Sequence, residues 1–321
     1  VDGMVNKASD YSGGDLYGGH LQESYICKIY LEATRNQPFE YMTSRCDPEL
    51  SVHTATKTFN QMRLHNHLTL SHHGAMLFID AIDPVGTLNE DVYRQIGKVF
   101  EETMPLEKYL NGNLVAEAAL IMSYDSKFDI HQKASLPKHA GYGHPQLDSQ
   151  LALSAILRRL NMLYTVVPSD KLASLKGKKI AFLTNASILR KAEICAISEF
   201  VREGGCLYIS GTTDPELTAN LLGMNFEGYT KYKHSYLAPT EIGEELFSPV
   251  FSKKYPLAIH GRQMLASFSP DVKILATITL PYTDPEDPSI FASIHSNPPG
   301  IPTSNPAMVY GNYGKGKVVW V

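Results

Sequence analysis

The carboxylates at the ends of apolar runs are the residues of this sequence best suited to chemistry. The run "AMLFID" ends in Asp80, and Asp83 follows just before Pro84. Glu40 follows an aromatic in "PFEYMTSRC", a stretch that also carries Arg45. Asp10 and Asp15 flank the Gly-rich "YSGG". Two carboxyl groups facing one bond can divide the work of nucleophile and acid/base. A guanidinium can grip a carboxylate or a hydroxyl. Each residue also has a plainer use. An Asp before Pro suits a turn, which is how Asp83 reads; Asp80 is balanced between turn and catalysis. Glu40 could cap a strand and meet Arg45 in solvent, and Arg45 could pair with Asp47. A Gly-rich turn alone accounts nearly as well for Asp10 and Asp15.

The histidines raise a metal question. His65 and His72 lie seven apart, hence on one face of a helix, and His72 or His73 could approach His53. There is no HExxH and no CxxC pattern, so no metal is expected. His72 and His73 near a helix C-terminus read as caps favoured by the helix dipole. The four cysteines, Cys27, Cys46, Cys195 and Cys206, read as free thiols of a reducing, cytoplasmic compartment, with a Cys195–Cys206 disulfide left open. No cysteine occupies the strand-to-helix turn "FLTNASIL", where an amidotransferase-type nucleophile would sit. "SGTTDPE" has neither GxGxxG nor a P-loop, and no cofactor is expected.

The elements that must position these groups fall into three regions. In residues 1–112, "QESYICKIYLEATR", "TATKTFNQMRLHNHLTLSHHG" and "NEDVYRQIGKVFEETMPLEKYL" have helical spacing. The strands "PFEYMTSRC" and "AMLFIDAI" lie between them. That alternation implies parallel strands. In residues 113–230 the alternation continues through "VAEAALIMSYD", "YTVVPSD", "GKKIAFLTNAS" and "CLYISG". This reads as a doubly wound, flavodoxin-like sheet. In residues 231–321 the helical period fades, and "VKILATITL", "PAMVYGNYG" and "GKVVWV" read as antiparallel strands of a small β-rich segment. The fold class is therefore α/β with a β-rich end.

With 43% apolar residues in a chain of 321, the sequence can build real cores. Its net charge of −4 and its lack of a Lys/Arg stripe argue against nucleic acid. Its apolar runs are too short for a bilayer, so no membrane partner is expected.

Region one resembles the last third of the TIM barrel of α-L-fucosidases, glycoside hydrolase families 29 and 151. Their late strand "GGNLLLNIGP", a "DG" turn and a helix with "IG" are similar to "HGAMLFIDAIDPVGTLNEDVYRQIG" here, with Asp80 where the family has Asn. "VNKASDYSGGD" and "PFEYMTSRC" are more loosely similar to other family segments. The order of sheet and β-rich segment resembles the family 42 β-galactosidases with their trimerisation domain, through "FVREGGCLYISG" and "YGKGKVVWV". The resemblance implies a carbohydrate substrate and catalysis by paired carboxylates. It makes Glu40 and Asp80 the catalytic candidates, with Asp10, Asp15, Arg45 and His73 on the substrate side. It implies a homo-oligomer, trimer or dimer. An eightfold barrel needs roughly 250 residues. Region one is therefore expected to be part of a longer protein whose nucleophile lies on an earlier strand. The alternative expectation is a non-catalytic oligomerisation or carbohydrate-binding module.

Overall fold

The computed structural model describes residues 7–16, 18–48, 50–81, 85–110, 112–127, 144–284, 287, 289–293 and 297–321. Asp83 and Pro84 lie outside the described residues. The chain forms two compact units, one of Val1–Lys127 with Ala134–Gly177, the other built on Lys178–Val321.

The first unit opens with β1 (Gly13–Asp15), α1 (His20–Ala33), β2 (Phe39–Ser44), α2 (Phe59–Ser71), β3 (Gly74–Ile79) and α3 (Glu90–Thr103). The three strands are parallel, in the order β1-β2-β3. β1 is three residues from the stretch the sequence suggested was only a Gly-rich loop. Side chains alternate between the two faces of a strand. Phe39, Tyr41 and Thr43 of β2 are buried on one face. The other face pairs Glu40 with Ala75, Met42 with Leu77 and Ser44 with Ile79. That face is apolar at Ala75, Met42, Leu77 and Ile79 and open at Ala75, which is exposed, and Leu77, 40% exposed, whereas Ser44 is buried.

Local chemistry sets the helix ends. Thr58 and Gln61 close a capping box at the start of α2, and Asn89 caps α3 by accepting from the Val92 N–H. His73 turns α2 into β3 with φ +62°. Gly74 follows where a Cβ would come within 2.5 Å of the Phe39 ring.

The same unit continues with β4 (Ala118–Met122), α4 (Pro145–Arg159) and β5 (Tyr164–Pro168), β4 and β5 being parallel and buried throughout. Strands buried on both faces read as unbroken apolar runs, as "AALIM" does. α1 is tied to this part by polar contacts. Tyr25 hydrogen-bonds Gln150, Thr165 Oγ1 donates to Glu32 at 3.0 Å, and the Lys28 ammonium lies 4.8 Å from the Tyr164 ring centre. Packing therefore joins the first sequence region to the start of the second.

The second unit contains β6 (Ile180–Thr184), α5 (Lys191–Arg202), β7 (Cys206–Ser210), α6 (Pro215–Leu222), β8 (Asn225–Tyr229), β9 (His234–Pro239), α7 (Glu241–Phe247), β10 (Leu257–His260), β11 (Met264–Ser267), β12 (Lys273–Pro281), β13 (Pro299–Tyr313) and β14 (Gly316–Trp320). Its main sheet runs β10-β9-β12-β13-β14-β7-β6. β6, β7 and β14 are parallel; β14, β13, β12, β9 and β10 pair antiparallel. The antiparallel strands expected after residue 231 are present, but they extend the same sheet as the parallel pair. The reason lies in "GKVVWV": Val318 and Trp320 are buried, so β14 is an interior strand with a partner on each side. β8 and β11 form a separate antiparallel pair.

Gly243 marks a close approach of α7 to β12. A Cβ there would lie 1.9 Å from the Leu275 carbonyl oxygen, a backbone atom with nowhere to go. Gly243→Ala is expected to lower stability by about 1–3 kcal/mol through overpacking, read as a lower urea midpoint; an unchanged midpoint would contradict the close packing.

Candidate functional site

Parallel strands give the small sheet two chemically different ends. Arg45 follows β2 and Asp80 follows β3, so these two stand at the C-terminal ends, while Asp15 ends the short β1 level with Met42 and Leu77, three residues below them. Asp10 precedes β1, Glu40 is the second residue of β2 and His73 precedes β3, so these stand at the N-terminal ends. The six sequence candidates thus split: two stand at the C-terminal ends, three at the N-terminal ends, and Asp15 between them, two residues beyond the level of Glu40. Glu40 is level with Ala75, and Asp80 lies five residues further on, roughly 16 Å at the rise of an extended strand. Glu40 and Asp80 therefore cannot flank one glycosidic bond at the ~5 Å of a retaining pair.

At the C-terminal ends, Arg45 Nε donates to Asp80 Oδ1 at 2.5 Å, with both side chains almost fully buried. Arg45 does not pair with Asp47 as one sequence reading had it. Its Nη1 donates to the His53 carbonyl at 2.9 Å and to Thr56 Oγ1 at 3.0 Å. The Ala81 N–H donates to Asp80 Oδ1 at 2.7 Å, while Asp80 Oδ2 is buried without a partner. The pair fastens the loop between β2 and α2 to the end of β3. Lys57, from the same loop, donates to the Ser44 carbonyl and, at 3.1 Å, to that of Cys46. Burial lowers its pKa, partly offset by Asp47. Asp15 is exposed, level with Met42 and three residues short of Arg45 along the sheet. Below it Tyr30 is buried, which together with Cys27 and Asp15 raises its hydroxyl to about 12.

At the N-terminal ends, Glu40 accepts from the Tyr11 hydroxyl at 3.2 Å, not from Arg45. Asp10, Tyr11, Glu40, Ala75 and Leu77 border a hollow of about 520 Å³. The Asp10 carbonyl accepts from Asn36. His73 sits in its turn.

The structure also reveals charged groups that the sequence candidates omitted. His65 and His72 do share a face, and that face meets α1. His65 Nδ1 lies 2.6 Å from Glu23 Oε2, and His72 Nε2 lies 2.8 Å from the Lys28 ammonium. His72 closes α2, but not as a charged cap. Burial and Lys28 push its pKa down to about 4, and Nδ1 faces the Leu68 carbonyl at 2.8 Å. The ring is neutral, with Nδ1–H donating to Leu68 and Nε2 accepting from Lys28. Lys28 is itself lowered to about 8 by burial. The signal in the sequence was two charges, Glu23 and Lys28, inside a helix apolar on most sides. All four cysteines are free, Cys27 and Cys46 buried. Among the described residues, no helix is long and apolar enough to cross a membrane.

A mixed α/β chain with a parallel-rich sheet, preceded by a parallel three-stranded sheet open on one face, has a glycoside hydrolase-like fold. Among solved structures, the chain is similar to α-L-fucosidase isoenzyme 2 of Paenibacillus thiaminolyticus, at 17% identity and TM-score 0.68 over 98% of this chain and 46% of that one. It is also similar to the β-galactosidase of Bacillus circulans sp. alkalophilus, at 12% identity and TM-score 0.71 over 99% and 48%. A third is the β-galactosidase of Rahnella sp. R3, at 16% identity and TM-score 0.69 over 99% and 49%. The chain spans about half the length of these structures. No protein-family model matches the sequence, and no curated protein does.

Proposed function

We propose that this chain supplies the closing part of the (β/α) barrel, and the sheet domain after it, of a glycoside hydrolase that is α-L-fucosidase-like or β-galactosidase-like. The observation that carries this is the open apolar face of β2 and β3, with Leu77 40% exposed. Parallel sheets are otherwise covered on both faces, and a barrel interior would cover this one. Barrel enzymes hold substrate at the C-terminal ends of their strands. In this reading Asp15 meets sugar hydroxyls, while Arg45, gripped by Asp80, orients the loop beside them. The nucleophile belongs to a strand outside residues 1–321. Glu40, Asp10 and His73 serve the opposite end and take no part in bond cleavage. The free thiols favour a cytoplasmic setting.

The test is hydrolysis of nitrophenyl α-L-fucosides, β-galactosides and arabinosides by the whole protein. Turnover of at least one is the expected result. No turnover of any, by a protein shown to be folded, would remove the proposal.

A second reading is an oligomerisation module. It is favoured by the exposed apolar residues of the second unit, Ile242, Leu246, Val250, Tyr255 and Leu257. Sedimentation separates the two: a dimer or trimer that binds glycans without turnover supports the module alone, and a strict monomer removes it.

A further inference from the structure

The first turn of α1 and the middle of α2 bring together two imidazoles and one carboxylate that the glycosidase reading does not use. His20 and Glu23 lie three apart on α1, so they share a face. His65 faces them from α2. His65 Nδ1 is 2.6 Å from Glu23 Oε2, and His20 Nδ1 is 3.4 Å from the same oxygen. The three donor atoms lie within 4.8 Å of one another, and the two imidazole ring centres are 4.8 Å apart. We propose that His20, Glu23 and His65 form a binding site for a divalent first-row metal ion, zinc being the probe of choice.

The donor set carries the assignment. Two imidazole nitrogens and one carboxylate oxygen, without thiolate, suit Zn²⁺ and its neighbours rather than Ca²⁺ or Mg²⁺. Both rings aim the same atom, Nδ1, at the same oxygen. A single metal ion lets both act as neutral ligands and answers the carboxylate charge as well. Tetrahedral zinc with ligands at about 2 Å holds its donors roughly 3.3 Å apart. The His20–Glu23 spacing already has this value, the His65–Glu23 spacing needs to open by less than 1 Å, and the His20–His65 spacing, within 4.8 Å, needs to close by at most about 1.5 Å.

The surroundings fit a built site. The Glu23 side chain is fully buried, and Thr69 Oγ1 donates to its other oxygen, Oε1, at 3.3 Å. That is the outer support that holds a ligating carboxylate in one orientation. Helices on both sides fix the ligands on rigid backbone. The His20 side chain is 42% exposed, which leaves a path for the ion and room for water as a fourth ligand. The ion would clamp α1 to α2.

The purified chain, stripped with chelator, is titrated with Zn²⁺ by calorimetry and with Co²⁺ by visible absorption. One equivalent is expected to bind, the cobalt form to show a tetrahedral d–d band, and Tm to rise with zinc. His20→Ala, at a half-exposed position, is expected to keep the metal-free Tm and to bind zinc at least tenfold more weakly. His65→Gln tests the buried side, with circular dichroism reporting its folding. Zinc binding by wild type that His20→Ala leaves unchanged would overturn the assignment, as would no binding by wild type. Neither readout needs sugar turnover, so this result stands apart from that of the glycosidase test.

Discussion

Arg45→Met is expected to lower the stability of the first unit by roughly 3–5 kcal/mol, because it leaves a buried carboxylate without its counter-charge. Asp80 has little water to turn to: its side chain is 7% exposed, and Oδ2 already lacks a partner. The loss would also free the His53 carbonyl and Thr56, which the guanidinium holds to the strand end. The double replacement Arg45→Met with Asp80→Leu is expected to recover most of the loss, since an apolar pair of similar volume carries no desolvation penalty. Urea unfolding of wild type, both single variants and the double variant gives the coupling. A single variant within about 1 kcal/mol of wild type, or a double variant no better than Arg45→Met, would mean that this ion pair does not govern the loop.

Acid should weaken the fold through His72. Its pKa is lowered from 6.5 to about 4, so between those values the unfolded chain holds a proton that the folded chain does not. Stability is therefore full above pH 6.5 and falls as pH drops towards 4. The 2.5-unit difference corresponds to roughly 3 kcal/mol. His72→Gln removes the titration while retaining a group able to accept from Lys28 and donate to Leu68. Its stability should fall less over the same interval. Other groups titrate there too, so the quantity to read is the difference between the two pH profiles. Parallel profiles from pH 7 to 4 would show that His72 is not buried beside Lys28 in solution. Lys28 acts in the same sense at higher pH. Lowered from 10.5 to about 8, it adds stability as pH rises through that interval.

Much of the fold was legible because it rests on local pattern. The period of "TFNQMRLHNHLTLS" and the apolar run "AMLFI" fixed α2 and β3, and alternation of such elements implied parallel strands. β1 was not legible: three residues with two glycines carry no periodicity, and only the backbone of β2 makes them a strand. The insertion of β14 beside β7 was hidden for a related reason. An apolar run announces burial, but one of its two neighbours, β7, comes from 111 residues earlier in the chain.

The site was legible only by end. Strand-end carboxylates could be picked from sequence, yet the direction of β2 puts Glu40 at its start and Arg45 beyond its finish. A resemblance carried by "PFE" could not register that difference. The partners of Arg45 and Glu23 lie 35 and 42 residues away. Such pairs follow from how α1, α2 and β3 pack, and no spacing rule reaches them. His72 shows the opposite error, in which a local rule about helix ends held for position and failed for charge, because burial outweighed the dipole.

The most direct measurement is kcat/KM of the whole protein for its best aryl glycoside, with Asp15→Asn set against Glu40→Gln. If substrate meets the C-terminal ends of β1–β3, Asp15→Asn loses about tenfold to a hundredfold, the worth of a charge-assisted hydrogen bond, and Glu40→Gln stays within about twofold of wild type. Loss of turnover in Glu40→Gln, with Asp15→Asn unaffected, would place the chemistry at the opposite end of the sheet and contradict the assignment.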